Sequence, residues 1–267
     1  MDDDQPQRRK RNPPQDKATP HDLIDDYARR SQFVVAGLPE KIGATNMSID
    51  PTPPNAGLFR IDEILHGPRE LSGFAGKEIT VLFNDAGSVR AGEPSVLFAT
   101  SWQYGPSLAV MEVGQVEDGE RAAMRKRIGE AYERLDDERL LQRIALAELV
   151  IVGKVVRTAP AGEEIRRRMP VTEHAPDWWE AVIEVESVEK GRHQGKTVSI
   201  FFPNSVDVAW SQSPKFKVGQ EGVWILQRNQ QERGWPIMRI RGLTALDPLD
   251  FQPRSRAAHV RSLIRRR

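Results

Sequence analysis

Apolar residues fall along this chain in a pattern that is written out twice. Gln32–Gly37 (QFVVAG) and Glu148–Gly153 (ELVIVG) are short β-branched runs ending at glycine, the signature of a buried strand. Each follows a helix-like stretch. Each precedes an alternating strand that also ends at glycine, Phe59–Gly67 (FRIDEILHG) and Ile183–Gly191 (IEVESVEKG). Two more apolar runs match in order: Gly76–Phe83 with Gly195–Phe202, then Gly92–Ala99 with Gly219–Leu226. Alternation places Phe59 and Ile61 on one face, opposite Arg60 and Asp62. Ile79, Val81 and Phe83 alternate in the same way with Thr80 and Leu82. A fifth strand is predicted at Leu108–Val113 and, in the second repeat, at Ile237–Leu243.

Helical spacing precedes both sets of strands. Thr19-Pro20-His21-Asp22 starts a helix, with a capping threonine, proline at the first helical position and an acidic residue at the positive end. It carries Leu23, Ile24 and Tyr27 on one face. Met124, Ile128, Ala131, Tyr132 and Leu135 form a second stripe. Asp136-Asp137 is expected to break this helix and cap another, holding Leu140, Leu141 and Ile144. Ile24 lies 116 residues before Leu140, as Ala28 does before Ile144 and Gly37 before Gly153. The leading helix therefore belongs to the repeat.

The predicted organisation is a disordered tail over residues 1–18, a helix-plus-barrel unit over 19–116 and a connector helix over 117–135. A second helix-plus-barrel unit follows over 136–247, then a basic tail over 248–267, in which Arg254–Arg267 reads as a short basic helix or tail. The fold class is mainly β with helices: two tandem five-stranded OB-like β-barrels joined by a helical connector. Closure suits short strands because it removes unpaired edges.

At these residues the pattern resembles the tissue-inhibitor-of-metalloproteinases or netrin-like modules, a branch of the OB-fold barrels. The resemblance rests on the helix-like lead-in and on Val150-Ile151-Val152-Gly153-Lys154-Val155. It extends to Lys190-Gly191 at a strand end, to Gly195–Ile200, and to Gly92-Glu93 and Gly219-Gln220 before aliphatic runs. It spans roughly residues 28–113 and 144–245. Those inhibitors reach the protease metal through an amino-terminal cysteine and carry several disulfides. This chain has no cysteine, so the resemblance implies a fold, not protease inhibition, and no functional residue is carried over.

Composition narrows the chemistry further. The 267 residues are 39% hydrophobic and 29% charged, with a net charge of +1, which gives no strong global field. Basic runs stand at Arg8-Arg9-Lys10-Arg11 and Arg265-Arg266-Arg267. Without cysteine there is no disulfide, thiol nucleophile or thiolate metal site. The opening MDDDQPQRRKRNPPQDK lacks the apolar core of a signal peptide, and no run approaches the ~20 apolar residues of a membrane helix. The expectation is a cytoplasmic protein with no membrane partner and no cofactor.

No catalytic or metal constellation is legible. His21, His66, His174, His193 and His259 are scattered through predicted termini and loops. Asp25-Asp26, Asp136-Asp137 and Glu163-Glu164 are sequence neighbours, which point apart on a helix. No phosphate-binding glycine loop occurs. The aromatic residues are the binding candidates: Trp102 and Tyr104 in one loop, Trp178 at the start of a strand, and Trp210 in another loop. Trp179 shares the core face with Ala181, Ile183 and Val185, so Trp178 is expected to point outward. Arg192, Lys215 and Lys217 could add positive charge near Trp210.

The function expected from these features is non-enzymatic: protein–protein contact or assembly with an unknown protein partner. The long loops 40–56, 159–177 and 203–217 would make the contact. The alternative is single-stranded nucleic-acid binding, with bases stacked on the same aromatics and the basic tails assisting. Near-neutral net charge makes it the weaker reading.

Overall fold

The computed structural model describes residues 20–48, 51–104, 107–163, 176–205, 207, 210–228 and 242–266. The expected disordered tail over 1–18 lies outside the described residues. The chain forms two units, Met1–Leu135 and Asp136–Arg267.

In the first unit, helix α1 (Pro20–Arg30) leads into β1 (Phe33–Ile42), β2 (Ala56–His66), β3 (Glu78–Leu82), β4 (Ser95–Tyr104) and β5 (Leu108–Glu117). The strands close into a barrel in the order β1-β2-β3-β5-β4, with β1 returning to β4. All pairs are antiparallel except β3 with β5, an arrangement consistent with an OB-like fold. Alternation sends Phe59, Ile61, Ile79, Val81, Leu97 and Val110 inward. On the outer face of β1 and β4, Val34, Ala36, Val96 and Phe98 are buried beneath helical Ile24, Ala28 and Ile128. Covered on both faces, β1 needs an unbroken apolar run and has one.

The second unit repeats the plan with β6 (Leu149–Pro160), β7 (Trp178–Lys190), β8 (Thr197–Pro203), β9 (Glu221–Arg228) and β10 (Leu243–Thr244). β10 runs parallel to β8 and antiparallel to β9, which closes the ring. Most of the strand expected at Ile237–Leu243 lies outside the described residues. A 3-10 turn, Pro248–Asp250, then leads into β11 (Phe251–Pro253), which continues along β9. β10 and β11 together stand where β5 stands in the first barrel.

The repeat extends to the irregularities. β1 carries bulges against β2 at Val34/Val35, Ala36/Gly37 and Pro39/Lys41. β6 carries them against β7 at Val150/Ile151, Val152/Gly153 and Val155/Arg157, the corresponding positions. Gly37 pairs with Ile61 and Ser95; Gly153 pairs with Val185 and Gly222. A Cβ on Gly37 would lie under 3.0 Å from the Arg60 carbonyl oxygen and from Phe59, and a Cβ on Gly153 would meet the Glu184 oxygen and Ile183 in the same way. Glycine is required there for close backbone approach at a bulge.

Helix α2 (Arg121–Leu146) corrects the expected break at Asp136-Asp137, because it runs through both residues. An aspartate inside a helix costs roughly 0.7 kcal/mol relative to alanine, while buried Leu135 and Leu140 on either side hold the helix in place. Asp137 also accepts from His259 Nε2 at 2.6 Å. The first part of α2 covers Val34, Ala36, Val96 and Phe98. In the second unit helix α3 (Ala257–Arg265) covers their counterparts, with Ala257, Val260 and Leu263 buried against Val150, Val152, Val223 and Ile225.

The repeated module is therefore helix, barrel, helix. The part of α2 that lies in the residues read as a connector, 117–135, and α3, which lies in the residues read as a basic tail, occupy equivalent places in it. Of the two forms expected for the final segment, helix or tail, the structure has the helix, with a buried apolar stripe between its arginines. Ion pairs secure it: Arg254 with Glu186, and Arg261 with Glu189 at 2.8 Å. The hydrogen bond from Arg261 lowers the Glu189 carboxyl below its ordinary 4.5, partly opposed by burial. A depressed folded-state value contributes stability that is fully present above 4.5 and is lost as pH falls through the lowered value. On acidification from neutral pH, methyl resonances of Val260 and Leu263 are expected to shift toward an undocked α3 before those of Ile151. Simultaneous change at all three sites would contradict this.

Candidate binding site on the second barrel

Trp178 and Trp179 open β7 and pair with Pro203 and Phe202 of β8. Trp179 packs against the barrel interior. Trp178 takes the opposite face, as alternation requires, yet only 2% of it is accessible. It is buried in a small cluster outside the barrel with Ala161, Phe201, Trp210 and Leu246.

The cover comes from the β8–β9 connection, residues 204–220, which is longer than the β3–β4 connection over 83–94. Within it Trp210 N–H donates to the Asp207 carbonyl at 2.9 Å and Ser213 N–H to the Trp210 carbonyl at 3.1 Å. This sets the Trp210 ring edge-on to Trp178, centroids 5.9 Å apart. The first barrel has Pro54 at the position equivalent to Trp178 and has no such insertion.

Two polar groups in this cluster stand out. Among the described residues Trp178 Nε1, like Trp224 Nε1 in the barrel core, is buried without a hydrogen-bond partner, whereas Trp179 Nε1 donates to Asp177 Oδ2 at 2.8 Å. Lys215 Nζ donates to the Trp210 carbonyl at 2.8 Å, and burial pushes its ammonium below the ordinary lysine value. An unmet buried donor costs about 1–3 kcal/mol, so the cluster carries a polar demand that its present packing leaves open.

The sequence candidates do not converge on one place. Trp178, Trp210 and Lys215 come together, with exposed Lys217 two residues further on. Arg192 lies in the β7–β8 turn, at the far end of a strand whose residues rise about 3.3 Å each. Trp102 and Tyr104, expected in a loop, instead belong to β4 of the first barrel, where Tyr104 pairs with Leu108 and so extends the strand; their side chains lie outside the described residues. Phe201 and Leu246 were not singled out from the sequence. Two aromatic doublets on paired strands, Trp178-Trp179 and Phe201-Phe202, were the available signal, since one ring of each must face away from the core.

Several basic side chains of the second unit pair with carboxylates. Arg228 pairs with Glu148 at 2.6 Å, Arg157 with Glu180 at 3.0 Å and Lys154 with Glu221 at 3.3 Å. Among the described residues no group of three His, Asp or Glu could hold a metal ion, and no helix is long and apolar enough to cross a membrane. No family model matches the chain, and no curated protein matches it.

Proposed function

We propose that the protein is a non-enzymatic tandem-barrel protein that contacts another protein, with the Trp210-covered face of the second barrel as a principal contact. The observation that carries this reading is the outer aromatic cluster. It lies on the outer side of barrel strands, and its Trp210 comes from a connection that is longer in this repeat than in the other. Aromatic anchors of this kind dominate binding energy at protein interfaces. Two linked modules would also raise the effective concentration of whichever engages second. The helix that leads into each barrel supports a netrin-like kinship of architecture, without an inhibitory cysteine.

Cross-linking capture from the source cells with the wild-type chain and with Trp210→Ala tests the reading. Trp210→Ala is expected to lose at least about 90% of the specific partner signal. Its stability should fall by no more than about 2 kcal/mol, because the ring is only half-buried. An unchanged partner profile would refute it. The second reading, single-stranded nucleic-acid binding, is favoured by one feature, exposed Arg192 and Lys196 around the β7–β8 turn. Anisotropy of a labelled oligonucleotide over a salt series separates the two. Steep salt dependence lost on Arg192→Ala with Lys196→Ala supports nucleic acid, and no binding at low salt removes it.

A further inference from the structure

We infer that His66 and Tyr132 form a proton-sensitive latch on the end of α1: the first barrel holds its leading helix more firmly while His66 is protonated and loosens it as pH rises through neutrality. The inference goes beyond the partner reading and is independent of it, since it concerns the first barrel and uses none of the tryptophans. The second repeat shows what the position is for. Lys190, the last residue of β7, pairs with Val150. Its ammonium donates to the Ile144, Ala145 and Ala147 carbonyls at 2.6, 3.0 and 2.6 Å. A positive charge, present across the neutral range, thereby closes the carbonyl end of α2.

His66, the last residue of β2, pairs with Val34 in the same register. Its ring lies flat on Tyr132, with centroids 3.4 Å apart and planes 8° from parallel. Tyr132 OH and Ser31 Oγ share a hydrogen bond of 2.8 Å. Ser31 follows the last residue of α1, donates its N–H to the Tyr27 carbonyl at 2.9 Å and corresponds to Ala147 of the second repeat. The first repeat thus ties down its helix through a ring that titrates near neutral pH, where the second uses a lasting cation.

Two effects favour the charged ring. An imidazolium on a tyrosine face gains from the ring quadrupole, and a cation beside a helix C-terminus gains from the helix dipole. Among the described side chains of this unit, ionised groups on the elements that meet here cancel in pairs: Arg30 with Asp26, Arg134 with Asp25, Arg125 with Glu63 and Lys126 with Glu130. Arg29 and Arg69 act against a positive ring and Glu133 acts for it; all three are exposed and screened by solvent. The stack and the helix end therefore raise the His66 value above its ordinary ~6.5. Stability gained this way is fully present below about 6.5 and is lost as pH rises through the raised value.

Carbon–proton spectra of the histidine rings and amide exchange of α1, recorded on the full chain from about pH 5.5 to about pH 8.5, test the latch. His66 is expected to titrate above ~6.5. The opening of α1, read at the Tyr27 and Ala28 amides after division by the intrinsic exchange rate, should rise about fivefold across that range. His66→Gln should remove this pH dependence. His66→Lys, which installs the residue of the second repeat, should keep α1 at its low-pH protection throughout. Tyr132→Leu should lower the His66 value; the wild-type titration carries the test by itself if a variant does not fold. A His66 value at or below ~6.5, or protection of α1 that does not fall as pH rises, overturns the inference. An equal pH dependence in His66→Gln also overturns it, by assigning the change to another group.

Discussion

Gly153→Ala is expected to destabilise the second unit by about 3 kcal/mol or more, and Gly37→Ala to do the same to the first. Glycine-to-alanine changes often stabilise by roughly 0.4–1 kcal/mol, by restricting the unfolded chain. Neither glycine has a positive φ, so conformation is no obstacle here. Space is. The added carbon at Gly153 would fall on the Glu184 carbonyl oxygen and Ile183, and at Gly37 on the Arg60 carbonyl oxygen and Phe59. A backbone carbonyl cannot rotate aside as a flexible side chain can. β6 must therefore part from β7, losing ladder hydrogen bonds worth about 1 kcal/mol each as well as core contacts. Gly43→Ala is the control: φ is +72° and nothing lies within 4 Å, so only the conformational cost of about 1 kcal/mol should appear. Urea unfolding followed by circular dichroism measures all three.

Asp250→Ala is expected to cost about 3 kcal/mol or more. The Asp250 side chain is 1% exposed. It accepts from Arg143 Nε and Nη2 at 3.0, 2.7 and 2.9 Å and from the Leu246 and Asp247 amides at 2.8 and 2.9 Å. Burial pushes its carboxyl up, while Arg143 and those amides pull it down. Removing the carboxylate strands a guanidinium that is itself only 22% exposed, together with two amides. Breaking a buried pair from one side typically costs about 3–5 kcal/mol. Asp250→Asn, which retains one acceptor oxygen, should cost less. Equal losses would mean that the negative charge, which both variants remove, sets the penalty and that the retained acceptor oxygen contributes nothing. The repeat-equivalent of Arg143 is Tyr27, which packs on Gly114, so the two repeats hold their leading helix by different chemistry.

The barrels were legible because their cores are written as local alternation. The matched segments around Gly37 and Gly153, and the alternating Phe59–Ile61 and Ile183–Val185, fall into equivalent register in the two barrels. What escaped the sequence is what depends on distant chain. The apolar stripe of α3, Ala257, Val260 and Leu263, is hidden among arginines at 254, 256, 261, 265, 266 and 267. Only the outer face of β6 and β9 shows what it is for. Asp136-Asp137 carries a local signal for a break that tertiary packing overrides. The outward orientation of Trp178 followed from alternation, but its burial depends on an insertion some 30 residues later. Arg192 seemed close to Trp210 in sequence, and the length of β7 puts it at the other end.

Amide hydrogen exchange on Gly37→Ala and Gly153→Ala tests most directly whether the chain is one helix–barrel–helix module present twice. Gly37→Ala is expected to release protection at Val34, Ala36, Phe59 and Ile61. Gly153→Ala should release it at Val150, Val152, Ile183 and Val185, the same positions in the other repeat. Wild-type protection at these amides in either variant, or openings at strands that do not correspond, would contradict the duplication.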